Sequence, residues 1–117
     1  TAVLAVAREM NAAVMWASHV KLGRDAAVPD ATIEVIAATA ELDALEPEEA
    51  AIVQYVRELL GPTHRVADVT FEVAQSFLGD QGVVDLTGLL GYYAIVGNTL
   101  NAFEVAPPAG APSLPPR

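Results

Sequence analysis

The sequence predicts an all-α domain. No stretch of the 117 residues shows the strict alternation of apolar and polar side chains that is typical of a half-buried β-strand. The most apolar stretch, from Gly82 to Val105, carries no charge between Asp85 and Glu104, which predicts a helix buried on most sides. We therefore expect shorter amphipathic helices, orthogonal or antiparallel to one another, to surround this buried C-terminal helix.

Three helices are expected in the first third of the chain. The segment Thr1–Met10 has helical composition from its first residue and is typical of the middle or end of a helix, so we expect an upstream segment. A second helix is predicted over Ala12–Ala27, after a break at Met10-Asn11. A third runs from Pro29 to about Ala38, because proline suits the first turn of a helix.

Two more helices precede the C-terminal one. The fourth begins at Glu46-Pro47, where acidic residues lie near the positive end of the helix dipole, and it ends at Gly61-Pro62. The fifth is predicted over Ala67–Leu78. One face of the fifth helix is apolar and is expected to be buried: Val66, Val69, Val73 and Phe77. The sequence Gly-Asp-Gln-Gly at residues 79–82 predicts a turn.

The chain is expected to divide into one helical domain, residues 1–105, and an arm, residues 106–117. The arm is rich in proline and alanine, so it is predicted to be extended or disordered.

Composition excludes several classes of function. Fifteen acidic and six basic residues give a net charge of −9, which argues against nucleic acid or an anionic membrane as a partner. Because the chain has no cysteine, it has no disulfide, thiolate metal site or thiol catalysis. No secretory signal is visible, so a cytoplasmic location is expected.

A membrane span is not expected either. The uncharged run 86–103 is close to the roughly 17–20 residues that a spanning helix needs. It contains Asn98 and Asn101, however, and no basic residue flanks it on either side.

Small and polar residues follow one narrow face of the C-terminal helix. They recur at steps of four, three, four and three: Thr87, Gly91, Ala94, Asn98 and Asn101. Such a stripe either admits a close neighbouring helix or lines a pocket. Buried amides and phenols need partners, so Tyr92, Tyr93, Asn98 and Asn101 are expected to bond between helices, across an oligomer interface or in a pocket.

His19 is the best single candidate for chemistry. It lies on the apolar face of the second helix, one turn from Trp16 and opposite Lys21. It can serve as a general acid/base near neutral pH, or it can be a core histidine with both nitrogens hydrogen-bonded. Trp16 either walls a pocket or packs in the core, and Glu9 is a proton acceptor or a surface carboxylate. Two histidines 45 positions apart, without ligand spacing, do not predict a metal site.

Three stretches resemble the carboxymuconolactone decarboxylase-like family, in the superfamily that also contains the alkylhydroperoxidase D peroxidases. They are AVLAVAREMNAAVMWASHVKLGRDAAV (2–28), PEEAAIVQYVRELL (47–60) and THRVADVTFEVAQSFLGDQGVVDLTGLLGYYAIVGNTLNAFEV (63–105). The resemblance implies an alkylhydroperoxidase D-like helical domain that assembles as a homo-trimer or homo-hexamer. It also implies decarboxylase chemistry that needs no metal or organic cofactor.

The chain departs from both branches of this superfamily. Ala13 and Trp16 stand approximately where the peroxidases carry two cysteines, which excludes a thiol peroxidase. The decarboxylases carry a Glu and a His or Tyr just before their histidine, where this chain has Ala13, Val14 and Met15.

We therefore expect a divergent, cofactor-free decarboxylase, lyase or isomerase that acts on a small organic acid or lactone, with His19 as the acid/base. The residues expected to contact its substrate are Trp16, Tyr92, Asn98, Asn101 and Glu9. The alternative is a non-catalytic helical oligomer, either a scaffold or a small-molecule binding protein.

Overall fold

Five α-helices and no strand make up the computed structural model, which describes all 117 residues, so the predicted all-α class is confirmed. The helices are α1 (Ala2–Glu9), α2 (Ala13–Asp25), α3 (Asp30–Ala38), α4 (Pro47–Leu59) and α5 (Asp68–Ala102). The first four begin and end within two residues of the predicted boundaries.

The short helix α1 occupies the centre of the molecule. Its residues from Leu4 to Arg8 are all buried, and it packs against each of the other four helices. Ala5 and Ala7 project little from the helix, so neighbouring helices can approach α1 closely from several sides. Val53 and Val56 of α4 belong to the same core and are fully buried. The core is therefore built around the first helix of the chain.

The prediction that the C-terminal helix is buried on most sides is wrong. In the most apolar 18-residue window of α5 only 22% of the residues are buried, although the helix is long and apolar enough to cross a membrane. Leu86 and Leu90 face the core, whereas Val84, Tyr92 and Ile95 are 62–68% exposed. Because α1 occupies the central position, α5 contributes only one face to the core.

A single residue interrupts α5 where a four-residue turn was predicted. Gly79 has φ 72° and ψ 173°, and the helix continues on both sides of it. Glycine adopts this positive φ without the steric penalty of a side chain.

The predicted apolar face of the segment before Gly79 also points outward. Thr70 and Ala74 are buried there, whereas Val69, Val73 and Phe77 are exposed.

Glu58 of α4 holds the start of α5. Its carboxylate accepts hydrogen bonds from the Ala67 N–H at 2.7 Å, from the Thr70 hydroxyl at 2.5 Å and from the Gln54 amide at 2.7 Å. Burial alone would raise the pKa of Glu58, but these three donors outweigh it and hold the pKa below its usual value. The carboxylate therefore acts as an N-cap supplied by another helix.

The C-terminal arm is extended and lies against the core. The guanidinium of Arg8, only 1% exposed, donates from Nη1 to the carbonyl oxygens of Pro115 at 2.6 Å and Ala37 at 3.1 Å. Arg117 donates to the Arg8 carbonyl at 3.1 Å and forms an ion pair with Glu9, also at 3.1 Å. Of the two predicted alternatives for the arm, the structure contains the extended one.

Candidate functional site

His19 lies in the middle of α2 with its ring half-buried and held by the backbone. Nδ1 is 2.9 Å from the carbonyl oxygen of Met15 and 3.2 Å from the Ser18 hydroxyl oxygen. A carbonyl oxygen can only accept, so Nδ1 carries the hydrogen and donates it to Met15. In the neutral ring the lone pair therefore resides on Nε2, which is the nitrogen able to take up a proton.

The ring of His19 lines a cleft of about 170 Å³ between α1 and α2. The other lining residues are Thr1, Val3, Leu4, Leu22, Gly23, Ala26 and Val28. Thr1 carries the one other polar side chain among them, and its hydroxyl donates to Glu49 at 3.0 Å. The cleft is smaller than the roughly 300–1,000 Å³ of common ligand pockets, so it suits a small molecule with an apolar body.

Tyr93, rather than the predicted Tyr92, contacts His19. The two rings meet edge to face, with centroids 5.3 Å apart and planes at 85°. Tyr92 packs in turn against Tyr93 at 5.1 Å, but it is 62% exposed. Tyr93 continues the inner face of α5 because it follows Leu90 by three residues, and this spacing is the sequence signal that could have identified it.

None of the other predicted site residues lines this cleft. Trp16 is 2% exposed and belongs to the core, and Asn98 lies on the exposed side of α5. The Asn101 amide donates to the Met10 carbonyl at 2.9 Å. Glu9 is at the far end of α1 from the cleft and pairs with Arg117. The structure brings these residues to different sides of the molecule.

The polar stripe of α5 serves mainly to connect helices. The Thr87 hydroxyl donates to the carbonyl oxygen of Val83 at 2.8 Å, so the Tyr55 hydroxyl, also 2.8 Å away, is the donor to Thr87. This pair ties α4 to α5, as Asn101 ties α5 to the end of α1. Of the other members of the stripe, Gly91 and Asn98 are exposed and Ala94 is half-buried.

A second group of charged residues, absent from the sequence prediction, surrounds Glu9 at the end of α1. Burial of Arg8 and Arg57 lowers the pKa of each guanidinium. The negative charge of Glu9 raises both pKa values, but by less. Nη1 of Arg57 donates to the Ala40 carbonyl at 2.9 Å. Arg8 Nε and Arg57 Nη2 have no hydrogen-bond partner. Since the remaining donors serve carbonyl oxygens of the chain itself, this group fixes the arm and the loop after α3.

No set of three or more His, Asp or Glu side chains lies close enough together to hold a metal ion. No family model matches the chain, and no curated protein or solved structure is significantly similar to it.

Proposed function

We propose that this chain is a cofactor-free decarboxylase, lyase or isomerase that acts on a small carboxylic acid or lactone, with His19 as its acid/base. One observation carries the proposal. The Met15 carbonyl fixes the Nδ1–H of His19, which leaves Nε2 free to exchange a proton with a molecule in the adjacent cleft. The quoted family resemblance supports the substrate class.

The cleft suits one proton-transfer step. A ligand atom within hydrogen-bond reach of Nε2 would receive a proton from the imidazolium as negative charge develops on an enolate-like or carboxylate intermediate. Most of the side chains that line the cleft are apolar, and a charge–charge interaction is stronger in apolar surroundings than in bulk water. The Tyr93 ring restricts the rotation of His19, which keeps Nε2 in one position.

A thermal-shift screen against small carboxylic acids and lactones tests this proposal. A ligand present at 100 times its Kd stabilises the native state by about 2.7 kcal/mol. We expect such stabilisation in wild type and in His64→Asn, a matched control in an exposed loop, and its loss in folded His19→Asn. Turnover of the compound that binds should be lost in His19→Asn and kept in His64→Asn, because an asparagine amide cannot supply the proton. Turnover that persists in His19→Asn would remove His19 from the acid role.

The finer fold and the assembly are part of the same proposal. We infer an alkylhydroperoxidase D-like arrangement of the helices, a homo-oligomer of three or six chains and a cytoplasmic location. The three quoted stretches support the fold and the oligomer, and the net charge of −9 is consistent with a partner other than nucleic acid.

The second candidate function is that of a non-catalytic helical oligomer that acts as a scaffold or binds a small molecule. The observation that favours it is the dispersal of the predicted site residues, which leaves one other polar side chain in the His19 cleft. A scaffold is stabilised by no compound in the panel, and a binding protein is stabilised without turnover of the compound. For a scaffold, His19→Asn lowers the melting temperature only through the lost bond to Met15.

A further inference from the structure

The outer face of α5 carries a row of exposed residues. Five of them recur at steps of four, three, four and three and are named here the outer seam: Val84, Gly88, Gly91, Ile95 and Asn98. This spacing is typical of a helix that packs lengthwise against another helix. Val84 and Ile95 are 64% and 68% exposed, and no member of the outer seam is charged.

The two glycines of the outer seam leave room for a neighbouring helix. No heavy atom lies within 4 Å of the position that a Cβ would occupy at either Gly88 or Gly91. A glycine inside a helix costs about 1 kcal/mol relative to alanine, and packing within the chain does not require either of them. These glycines therefore permit the close approach of a helix from another chain.

We propose that a second copy of this chain covers the outer seam, with the two α5 helices antiparallel about a two-fold axis at Gly91. In that arrangement Ile95 of each copy lies opposite position 87–88 of the other and fills the space above Gly88. Val84 lies opposite Asn98, so a large side chain meets a smaller or a flat one along the seam. The seam is thus complementary to itself in shape.

Charge favours the antiparallel orientation. Asp85 is the one ionised side chain beside the seam, and two copies in antiparallel pairing keep their Asp85 carboxylates about 18 Å apart along the helix axes. That separation exceeds the Debye length of about 8–10 Å, so the repulsion is screened. A parallel pair would place the two carboxylates beside each other.

Charge also argues against other occupants of the seam. Residues 66–116 contain no Lys or Arg, and the whole chain carries a net charge of −9. Nucleic acids and anionic lipid surfaces both bind through clustered basic residues. Because no residue of the outer seam is charged, two copies of the chain do not repel each other along the seam.

The proposed contact does not depend on the chemistry of His19 and applies equally to an enzyme or a scaffold. It is isologous, because the same patch is used on both copies. It therefore builds a dimer, and three such dimers around a three-fold axis form a hexamer. Because a cyclic trimer contains no two-fold axis, the contact favours six chains over three in the proposed assembly.

Sedimentation equilibrium of wild type, Ile95→Glu and Val69→Glu tests the contact. Val69 is 67% exposed on the part of α5 before Gly79, so it matches Ile95 in exposure while lying outside the seam. We expect wild type and Val69→Glu to dimerise with the same Kd, and Ile95→Glu to raise that Kd at least tenfold while retaining the wild-type circular dichroism spectrum. Wild type that stays monomeric at millimolar concentration, or Ile95→Glu that associates like wild type, would overturn the proposal.

Disulfide crosslinking tests the orientation, because the chain has no cysteine of its own. An equimolar mixture of Val84→Cys and Asn98→Cys under mild oxidation should give the mixed crosslinked dimer, and each variant alone should give several-fold less. Efficient crosslinking of each variant with itself would contradict the antiparallel pairing. Co-sedimentation of monomeric wild type with phosphatidylcholine or phosphatidylglycerol vesicles, lost in Ile95→Glu, would assign the seam to lipid instead.

Discussion

At the residue scale, several helices of this protein end on a non-glycine residue in the left-handed conformation. These residues follow α1, α2, α3 and α5 and have φ between 52° and 63°: Asn11, Ala27, Thr39 and Glu104. After each of them the next N–H bonds to a carbonyl five residues earlier, as Val28 does to Gly23 at 2.8 Å. This is the Schellman motif, in which glycine is the favoured residue.

Of these four positions, Ala27 should gain the most stability from a glycine. Its methyl group at φ 63° gives backbone strain, and alanine has no polar side-chain atom that could form a compensating hydrogen bond. We expect Ala27→Gly to stabilise the fold by about 1 kcal/mol, since left-handed backbone costs an L-residue roughly that much. In a chain of this length that corresponds to a rise in Tm of about 4 °C. Ala26→Gly is the control: Ala26 has φ −88°, so its substitution should lower Tm. Equal shifts of the same sign would refute the argument from conformation.

At the scale of elements, α5 is held at both ends by groups from other helices. Glu58 of α4 caps its first turn, and Asn101 in its last turn bonds to the Met10 carbonyl. The part of α5 before Gly79 buries little besides Thr70 and Ala74, so its position depends on this carboxylate more than on apolar contacts.

The capping carboxylate gives stability a defined dependence on pH. The pKa of Glu58 is lower in the folded chain than its ordinary value of 4.5. Its contribution is therefore fully present above pH 4.5 and is lost as pH falls through the lower, folded pKa. We expect Glu58→Gln to reduce Tm at pH 7 and to flatten the fall of Tm below pH 4.5. Glu72→Gln, at an exposed carboxylate of the same helix, should keep the wild-type slope.

At the scale of the whole molecule, the buried guanidinium of Arg8 joins three parts of the chain. It donates to the loop residue Asn11 at 3.2 Å, to Ala37 at the end of α3 and to Pro115 of the arm. One side chain thus fixes both the relative position of α1 and α3 and the path of the arm.

Removing this guanidinium should release the arm and weaken the fold. Arg8→Met keeps most of the apolar volume but leaves carbonyl oxygens without donors, which costs about 2 kcal/mol in the free energy of unfolding. Urea denaturation measures that loss, and amide hydrogen exchange in residues 106–117 should accelerate. Arg24→Met is the control, because Arg24 forms an exposed ion pair with Asp30 and should change stability by less than about 1 kcal/mol. An arm that stays protected in Arg8→Met would contradict the assigned role.

The sequence predicted the helices well and their arrangement poorly. Pro29, Pro47 and Gly61 mark helix ends in the chain itself, and Lys21, which was expected opposite His19 on α2, is exposed. The prediction that α5 is buried was wrong. Apolar composition indicates that a helix surface avoids water, but it does not indicate what covers that surface. The central helix α1 has only eight residues, too few for an apolar pattern to stand out.

The site was predictable only in part for a related reason. Helical spacing places His19 on the inner side of α2, but the residue that meets it comes from a helix 74 positions away in sequence, at Tyr93. Which turn of α5 lies opposite α2 depends on the packing of α1 between the other helices. Spacing within one helix places Tyr93 on the same face as Leu90, but it carries no information on which turn of α5 meets His19.

Trp16 gives the protein an internal fluorescent reporter. It is the only tryptophan, and at 2% exposure it lies in the apolar core and is not among the residues that line the His19 cleft or form the outer seam. We expect its emission in the native state to be blue-shifted and shielded from iodide, and to move to longer wavelength when the core opens. Loss of the core can therefore be followed separately from ligand binding or self-association, with one optical signal and no label.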